Sequence, residues 1–165
     1  MEDSKLDTIT AIRTVRDSLR TNLPDPYIYA GATSRQGDMW IFADEPRVGP
    51  KYPQIQIRKL DNPTTVLSIG PDYGEREFLY LNIWFYTKNG WKATIDGVEY
   101  SNSQFVEYYQ GLIKTTLKAG GEDMFDAGVK AYRHLNTTTV EYDTDTQLYF
   151  GSVIIKVEYF QVGDC

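Results

Sequence analysis

The residues that could do chemistry in this chain are one histidine and a few acidic clusters. His134 is the only histidine among the 165 residues, and Cys165 is the only cysteine. A single histidine cannot build a multi-histidine metal site, and as a general base it would need an orienting partner and a nucleophile. No sequence motif supplies either, so we expect His134 to be a structural or surface residue.

Two acidic clusters offer acid–base or cation chemistry. Asp72, Glu75 and Glu77 come just before a predicted strand, and carboxylates that converge in one cleft can act as acid and base. Asp143-Thr144-Asp145 begins like a calcium loop, but it lacks the glycine and the distal glutamate at the required spacing. Solvated turns are the favoured interpretation of both clusters. An enzyme that uses the first cluster is kept as an alternative.

Known catalytic motifs are missing from the sequence, and its charge is acidic. There is no GxxxxGK[ST] phosphate loop, no GxGxxG that opens a helix, and no GxSxG turn. The formal net charge is −6, which argues against a general nucleic-acid binder because such proteins carry a basic stripe. No apolar run approaches the roughly 20 residues that span a membrane. We predict no enzymatic activity, no cofactor, no metal site and no membrane partner.

Two long segments, residues 77–88 and 147–162, alternate with the period of a β-strand. One face of each segment is apolar, formed by Leu79, Leu81, Ile83 and Phe85 in the first and by Val153, Ile155, Val157 and Tyr159 in the second. This alternation is typical of long antiparallel strands that cover a core.

The second face of segment 77–88 is unusually aromatic. Its large residues are Phe78, Tyr80, Trp84 and Tyr86. Aromatic residues are enriched where protein surfaces meet, so this face is predicted to contact another subunit. The alternative is a second internal layer covered by residues 27–53.

Helical spacing of apolar residues predicts two main helices. The first covers about residues 5–23, and the second runs from an N-cap at Ser103 to the Gly120-Gly121 pair. A short third helix is predicted at about residues 123–135. Arginines line one side of the first helix, at Arg13, Arg16 and Arg20. This row indicates either a solvated helix face or a docking contact with an acidic partner.

Two further segments separate these elements. Residues 27–53 form a predicted long loop whose Trp40 either anchors the loop on its own domain or inserts into a neighbour, and residues 39–42 could form a short edge strand. Residues 88–101 form a predicted hairpin extension around Trp91. Its tight turns are expected at Asn89-Gly90, a strong hairpin signal, and at Asp96-Gly97.

The order of elements is helix, strands, helix, short helix and two strands, without alternation of strands and helices. This order predicts an α+β fold, in which an antiparallel or mixed sheet carries both main helices on one face. Residues 1–165 show no internal repeat and no dividing linker, so a single domain is expected.

This architecture resembles that of the tail-terminator (tail-completion) and neck proteins of long-tailed phages and related archaeal viruses. The carriers of the resemblance are a first helix that ends near Leu23-Pro24, the strands YPQIQIR, FLYLNIWFYT and SVIIKVEYF, and the helix SQFVEYYQGLIKTTL. The long loop and the hairpin extension depart from the family pattern. The family has no invariant catalytic signature, so no residue is assigned a catalytic role from the resemblance.

The resemblance implies a virion protein of the tail or neck, assembled in the host cytoplasm. About six copies would form a homo-oligomeric ring by head-to-tail packing, cap the tail tube and join it to the head connector. DNA would pass transiently through an acidic lumen without binding. The loops around Trp40 and Trp91 would then contact other neck proteins. The alternatives are a head-completion or adaptor protein of the neck, and a small-molecule-binding α+β regulatory domain.

Overall fold

The computed structural model describes residues 8–31, 40–43, 51–60, 67–68 and 75–161. The helices are α1 (Thr8–Asn22), α2 (Asn102–Ala119) and α3 (Gly121–Asp126), with a 3₁₀ helix at Pro26–Ala30. The strands are β1 (Ile41–Phe42), β2 (Gln54–Lys59), β3 (Leu67–Ser68), β4 (Glu75–Lys88), β5 (Lys92–Ile95), β6 (Val98–Ser101), β7 (Val129–Thr137), β8 (Glu141–Asp143) and β9 (Leu148–Gln161). Asp72 lies outside the described residues.

Seven of these strands form one mixed sheet. The order is β1-β2-β4-β9-β7, with β3 paired to β4 and β8 paired to β9. The two long strands β4 and β9 are antiparallel along their whole length, from Glu75 opposite Gln161 to Lys88 opposite Leu148. β1 pairs with β2 in parallel. The α+β fold is confirmed, and so is the short strand predicted within residues 39–42.

The helices pack on one face of the sheet, where the core lies. Phe85 of β4 stacks on Tyr109 of α2 with ring centroids 4.7 Å apart, and α1, α2 and α3 contribute to the same buried cluster as the sheet. The apolar faces predicted for β4 and β9 are confirmed, because their eight residues are each at most 1% exposed. Burying each of these side chains stabilises the fold by about 1.5–3 kcal/mol.

The stripe predicted on the second helix is confirmed except at Leu112, which is partly exposed; its predicted residues are Phe105, Val106, Tyr109, Leu112, Ile113, Thr116 and Leu117. Its buried residues are Phe105, Val106, Tyr109, Gln110, Ile113, Thr116 and Leu117. The helix begins at Asn102 after Ser101, however, so Ser103 is not its N-cap.

The helix predicted at residues 123–135 is wrong beyond Asp126. Gly128 has φ +107, which takes the backbone out of the helical region and ends any continuation. The chain then enters β7 at Val129 and pairs with β9. His134 consequently lies on a strand. Backbone hydrogen bonds to β9 thus hold these residues in a strand, although their sequence pattern predicts a helix.

The tight turn predicted at Asn89-Gly90 forms, with the backbone N–H of Trp91 donating to the carbonyl oxygen of Lys88 at 3.2 Å, but β5 does not pair with β4, so the predicted hairpin around this turn is wrong. β4 already has β2 on one side and β9 on the other, so no edge remains for the following strand. The predicted turn at Asp96-Gly97 does form, with φ 51 and 79, as a two-residue hairpin turn requires. It joins β5 and β6 in a separate two-stranded sheet. Ala93 and Ile95 anchor this hairpin in the core.

Candidate assembly surface

The sheet face that points away from the helices carries a compact group of three aromatic rings. Trp84 and Tyr86 of β4 and Phe150 of β9 have ring centroids 5.8–6.3 Å apart. All three are partly exposed. Tyr86 lies directly opposite Phe150, while Trp84 lies opposite the small Ser152. The strand register therefore assembles this group, which we call the aromatic cluster.

A row of polar side chains borders the aromatic cluster on β2. Gln54 and Gln56 lie opposite Tyr86 and Trp84. Arg58 Nη2 donates to Gln56 Oε1 at 2.7 Å, and Gln56 Nε2 donates to Gln54 Oε1 at 3.4 Å. The chain of amides ends at Gln54 Nε2, which is buried and has no hydrogen-bond partner within the described ranges. Polar contacts thus fix the border beside the rings.

Phe78 and Tyr80 belong to the same face but lie apart from the aromatic cluster. Phe78 is only 7% exposed, and Lys156 Nζ lies 4.0 Å from its ring centroid. Lys156 is also directly opposite Tyr80. The predicted aromatic face is therefore divided into a ring cluster at one end and a cation-covered ring at the other.

The structure also places Phe150, which sequence analysis missed, in the aromatic cluster. It occupies the same face of β9 as Ser152, because alternate residues of a strand share a face. The sequence therefore shows which face of β9 carries Phe150. Which β4 residues it meets depends on the register between two strands that are far apart in the chain.

Trp40 and Trp91 both pack on the core of their own chain. Trp40 is 9% exposed and meets Tyr109 edge-on at 6.3 Å. Trp91 is partly exposed and lies 6.0 Å from the ring of Tyr27 and 5.0 Å from that of Phe105. Each tryptophan anchors its own segment. Their predicted contacts with other neck proteins stay predictions.

The three arginines of α1 have different environments. Arg20 donates from Nε and Nη2 to the carbonyl oxygen of Ile41, at 3.1 and 2.7 Å. Arg16 Nε is 3.0 Å from Asp17 Oδ1, whereas Arg13 is exposed. Arg20 thus ties α1 to β1, and Arg13 presents the most accessible charge of the row. Their docking role stays a prediction.

The described parts of the chain include two small cavities. One of about 200 Å³ lies between α1 and α3 and is lined by Asp17, Ser18 and Asp123, among others. The other, of about 190 Å³, lies at β7 and β9 around Arg133 and Lys156. Both are smaller than the roughly 300–1,000 Å³ typical of small-molecule pockets.

His134 and Asp143 each contact a residue close in sequence, whereas the side chains of Glu75 and Glu77, like Asp72, lie outside the described residues. His134 Nε2 is 2.9 Å from Thr137 Oγ1, and burial, reinforced by Lys114, lowers the pKa of His134 below the usual 6.5. Asp143 Oδ1 accepts from the backbone N–H of Asp145 at 3.0 Å and closes its own turn. No group of three His, Cys, Asp or Glu residues able to hold a metal ion occurs among the residues described.

Among the residues that the structure describes, no helix has the length and apolarity needed to cross a membrane.

Comparison with solved structures finds distant likenesses, one of which is described here. No protein-family description matches the chain, and no curated protein matches it. A chain from the virion of a native gene transfer agent (GTA) particle is similar with a TM-score of 0.45 and 12% identity, over 96% of this chain and 99% of that one. A likeness this weak carries no functional conclusion.

Proposed function

We propose that this protein is a structural, non-enzymatic component of a virion tail or neck. Copies of it form a ring, without a ligand, that ends the tail tube and joins it to the head connector. This proposal builds on the architectural resemblance to tail-terminator proteins and on the assembly surface described above. The ring number implied by the resemblance is about six, reached by head-to-tail packing.

The observation that carries the proposal is the aromatic cluster. Trp84, Tyr86 and Phe150 are partly exposed side by side, on the sheet face opposite the described helices. Large aromatic side chains supply most of the binding energy at many interfaces, because they bury much area with few rotatable bonds. A contact between protein surfaces gives these three rings a common role.

The net charge of −6 fits passage of DNA through the ring. Acidic side chains around a lumen repel phosphates, so the nucleic acid slides without binding. The ring is therefore proposed to handle DNA without recognising its sequence.

The adaptor or head-completion role is the nearest alternative. The two roles differ in which neighbour binds: a terminator binds the end of the tail tube, and an adaptor binds only connector proteins. Co-sedimentation with preassembled tail tubes, compared with connector rings, separates them. The small-molecule-binding alternative predicts instead a monomer or dimer that a metabolite stabilises against thermal unfolding.

Native mass spectrometry across a concentration series tests the ring. We expect a closed oligomer of wild-type protein, and a dissociation constant raised about tenfold or more by Trp84→Ala or Tyr86→Ala. Tyr142→Ala is the matched control, because Tyr142 is 40% exposed outside the cluster. Far-UV circular dichroism confirms that each variant is folded. A wild-type monomer at every concentration contradicts the ring.

A further inference from the structure

We propose that the tip of the β5–β6 hairpin of one copy docks into the basic cavity that residues of β7 and β9 line on the next copy. This inference rests on the proposed ring and names one of its subunit contacts. It rests on three features of the described residues: two cations that share the cavity with the carboxylate of Glu158, an acidic and partly apolar hairpin tip, and the distance along β4 between the cavity and the base of the hairpin.

The cavity contains two cations that face each other. Arg133 of β7 and Lys156 of β9 are directly opposite in the ladder, and both line the cavity of about 190 Å³. Like charges in this arrangement destabilise a sheet. Arg133 is exposed and has no ion pair within the part of the chain that the structure describes.

The cavity also holds a carboxylate and an apolar wall. Glu158 lines it and is engaged in an interaction of its own. Ala131 and the ring of Tyr132 supply apolar surface. An incoming carboxylate with an adjacent small apolar side chain would relieve the repulsion between the cations and fill the remaining space.

The hairpin tip offers that combination. Asp96 and Gly97 form the turn, Glu99 follows on β6, and all three are exposed. Val98 is 52% exposed between the two acids. Glu99 makes an exposed ion pair with Lys92 at 3.7 Å, which contributes little to stability and is easily exchanged.

The tip is also held in one conformation. Its two turn residues have positive φ, and the strands behind it are anchored by the buried Ala93 and Ile95. Asp96 lies close enough to Tyr108 to help raise the pKa of that phenol, after the larger effects of burial and of Tyr29. A preorganised tip loses little conformational entropy on docking.

The base of the hairpin is far from the cavity of its own chain. The hairpin follows the end of β4, where Lys88 pairs with Leu148, while Lys156 pairs with Tyr80, eight residues earlier. Eight residues of strand span about 27 Å. The hairpin packs beside α2 of its own chain, where Asp96 acts on Tyr108, so the proposed contact is with a second copy. Because the contact joins two different surfaces, it repeats head to tail, as a ring requires.

Charge reversal with complementation tests this contact. The tip variant is Asp96→Asn combined with Glu99→Lys, since asparagine tolerates the positive φ of residue 96. The cavity variant is Arg133→Glu. By native mass spectrometry and sedimentation velocity, we expect each variant alone to assemble about tenfold more weakly than wild type. An equimolar mixture should recover assembly, because a ring in which the two variants alternate has opposite charges at every contact.

Controls separate the contact from general charge effects and from the ring itself. Glu107→Lys and Lys118→Glu reverse exposed charges on α2 and should assemble like wild type. Placing the tip and cavity changes in one chain should also restore assembly, which shows that both are compatible with folding. Wild-type rings that persist in both single-surface variants overturn this contact and leave the ring standing. Failure of the mixture and of the combined chain to recover assembly also overturns the contact, and a wild-type monomer at all concentrations overturns both proposals.

Discussion

Gly151 of β9 lies directly beneath the side-chain amide of Gln110 on α2. A Cβ at residue 151 would come within 2.4 Å of Gln110 Nε2 and 3.2 Å of Val106 Cγ1. That amide donates to the carbonyl oxygens of Thr138 and Ser152, at 3.0 and 3.3 Å. The missing side chain at residue 151 thus allows one buried glutamine to join α2, β9 and the segment that leads into β8.

Gly151→Ala should destabilise the protein by about 1–3 kcal/mol, because the new methyl group displaces Gln110 and leaves buried carbonyls without their donor. Gly111→Ala is the control, because Gly111 follows Gln110 on α2 and no atom lies within 4 Å of its Cβ position. That change should stabilise by up to about 1 kcal/mol through helix propensity. Urea denaturation followed by circular dichroism measures both. Equal midpoints for the two variants would contradict the close packing.

Thr87→Val should stabilise the protein by about 0.5–1 kcal/mol. Thr87 is fully buried, and its Oγ1 has no hydrogen-bond partner among the residues that the structure covers, so an apolar group of the same shape removes a desolvation cost. Thermal unfolding measures the change.

The same substitution at Thr138 should change the stability in the opposite direction. Thr138 Oγ1 accepts a hydrogen bond from the backbone N–H of Ser152 at 2.8 Å. Thr138→Val should therefore destabilise by about 1–2 kcal/mol. If both valine variants shift the melting temperature in one direction, the difference in hydrogen bonding between the two sites is not what determines their stability.

The predictable parts of this fold are those in which burial follows a local period. The faces of β4 and β9 and the stripe on α2 were all readable from the sequence, because alternate or helically spaced residues share a face. The end of the helix before Gly128 could not be predicted in this way, since the positive φ of Gly128 is set by the pairing of the following residues with β9. The hairpin prediction at Asn89-Gly90 failed for a similar reason, because both edges of β4 pair with strands that are distant in sequence.

The candidate surface was only partly readable. Trp84 and Tyr86 were identified from their shared face, but the aromatic cluster also needs Phe150, which reaches them through the β4–β9 register. The unbalanced pair of Arg133 and Lys156 likewise depends on the β7–β9 register, which two irregularities in β7 shift. Contacts between distant strands are therefore the part that sequence patterns do not supply.

Stability should fall as the pH drops below about 6.5, with His134 as one identifiable cause. Its pKa is lowered in the folded protein, first by burial and then by Lys114. The unfolded state therefore binds more protons between the folded pKa and 6.5, so folding loses stability as the pH falls through that window. His134→Gln should flatten this part of the profile, measured by urea unfolding at several pH values. An unchanged slope in the variant would exclude His134 as the cause.

Arg20→Met should destabilise the protein by about 1–3 kcal/mol, because the two charge-assisted hydrogen bonds that join α1 to the carbonyl oxygen of Ile41 are lost. Arg20→Lys should recover only part of this, since a lysine lacks the planar fork that reaches one oxygen from two nitrogens. Arg13→Met, at an exposed position of the same helix, should stay within about 0.5 kcal/mol of wild type. Equal losses at the two positions would show that the helix itself, and not its tie to β1, responds to the lost charge.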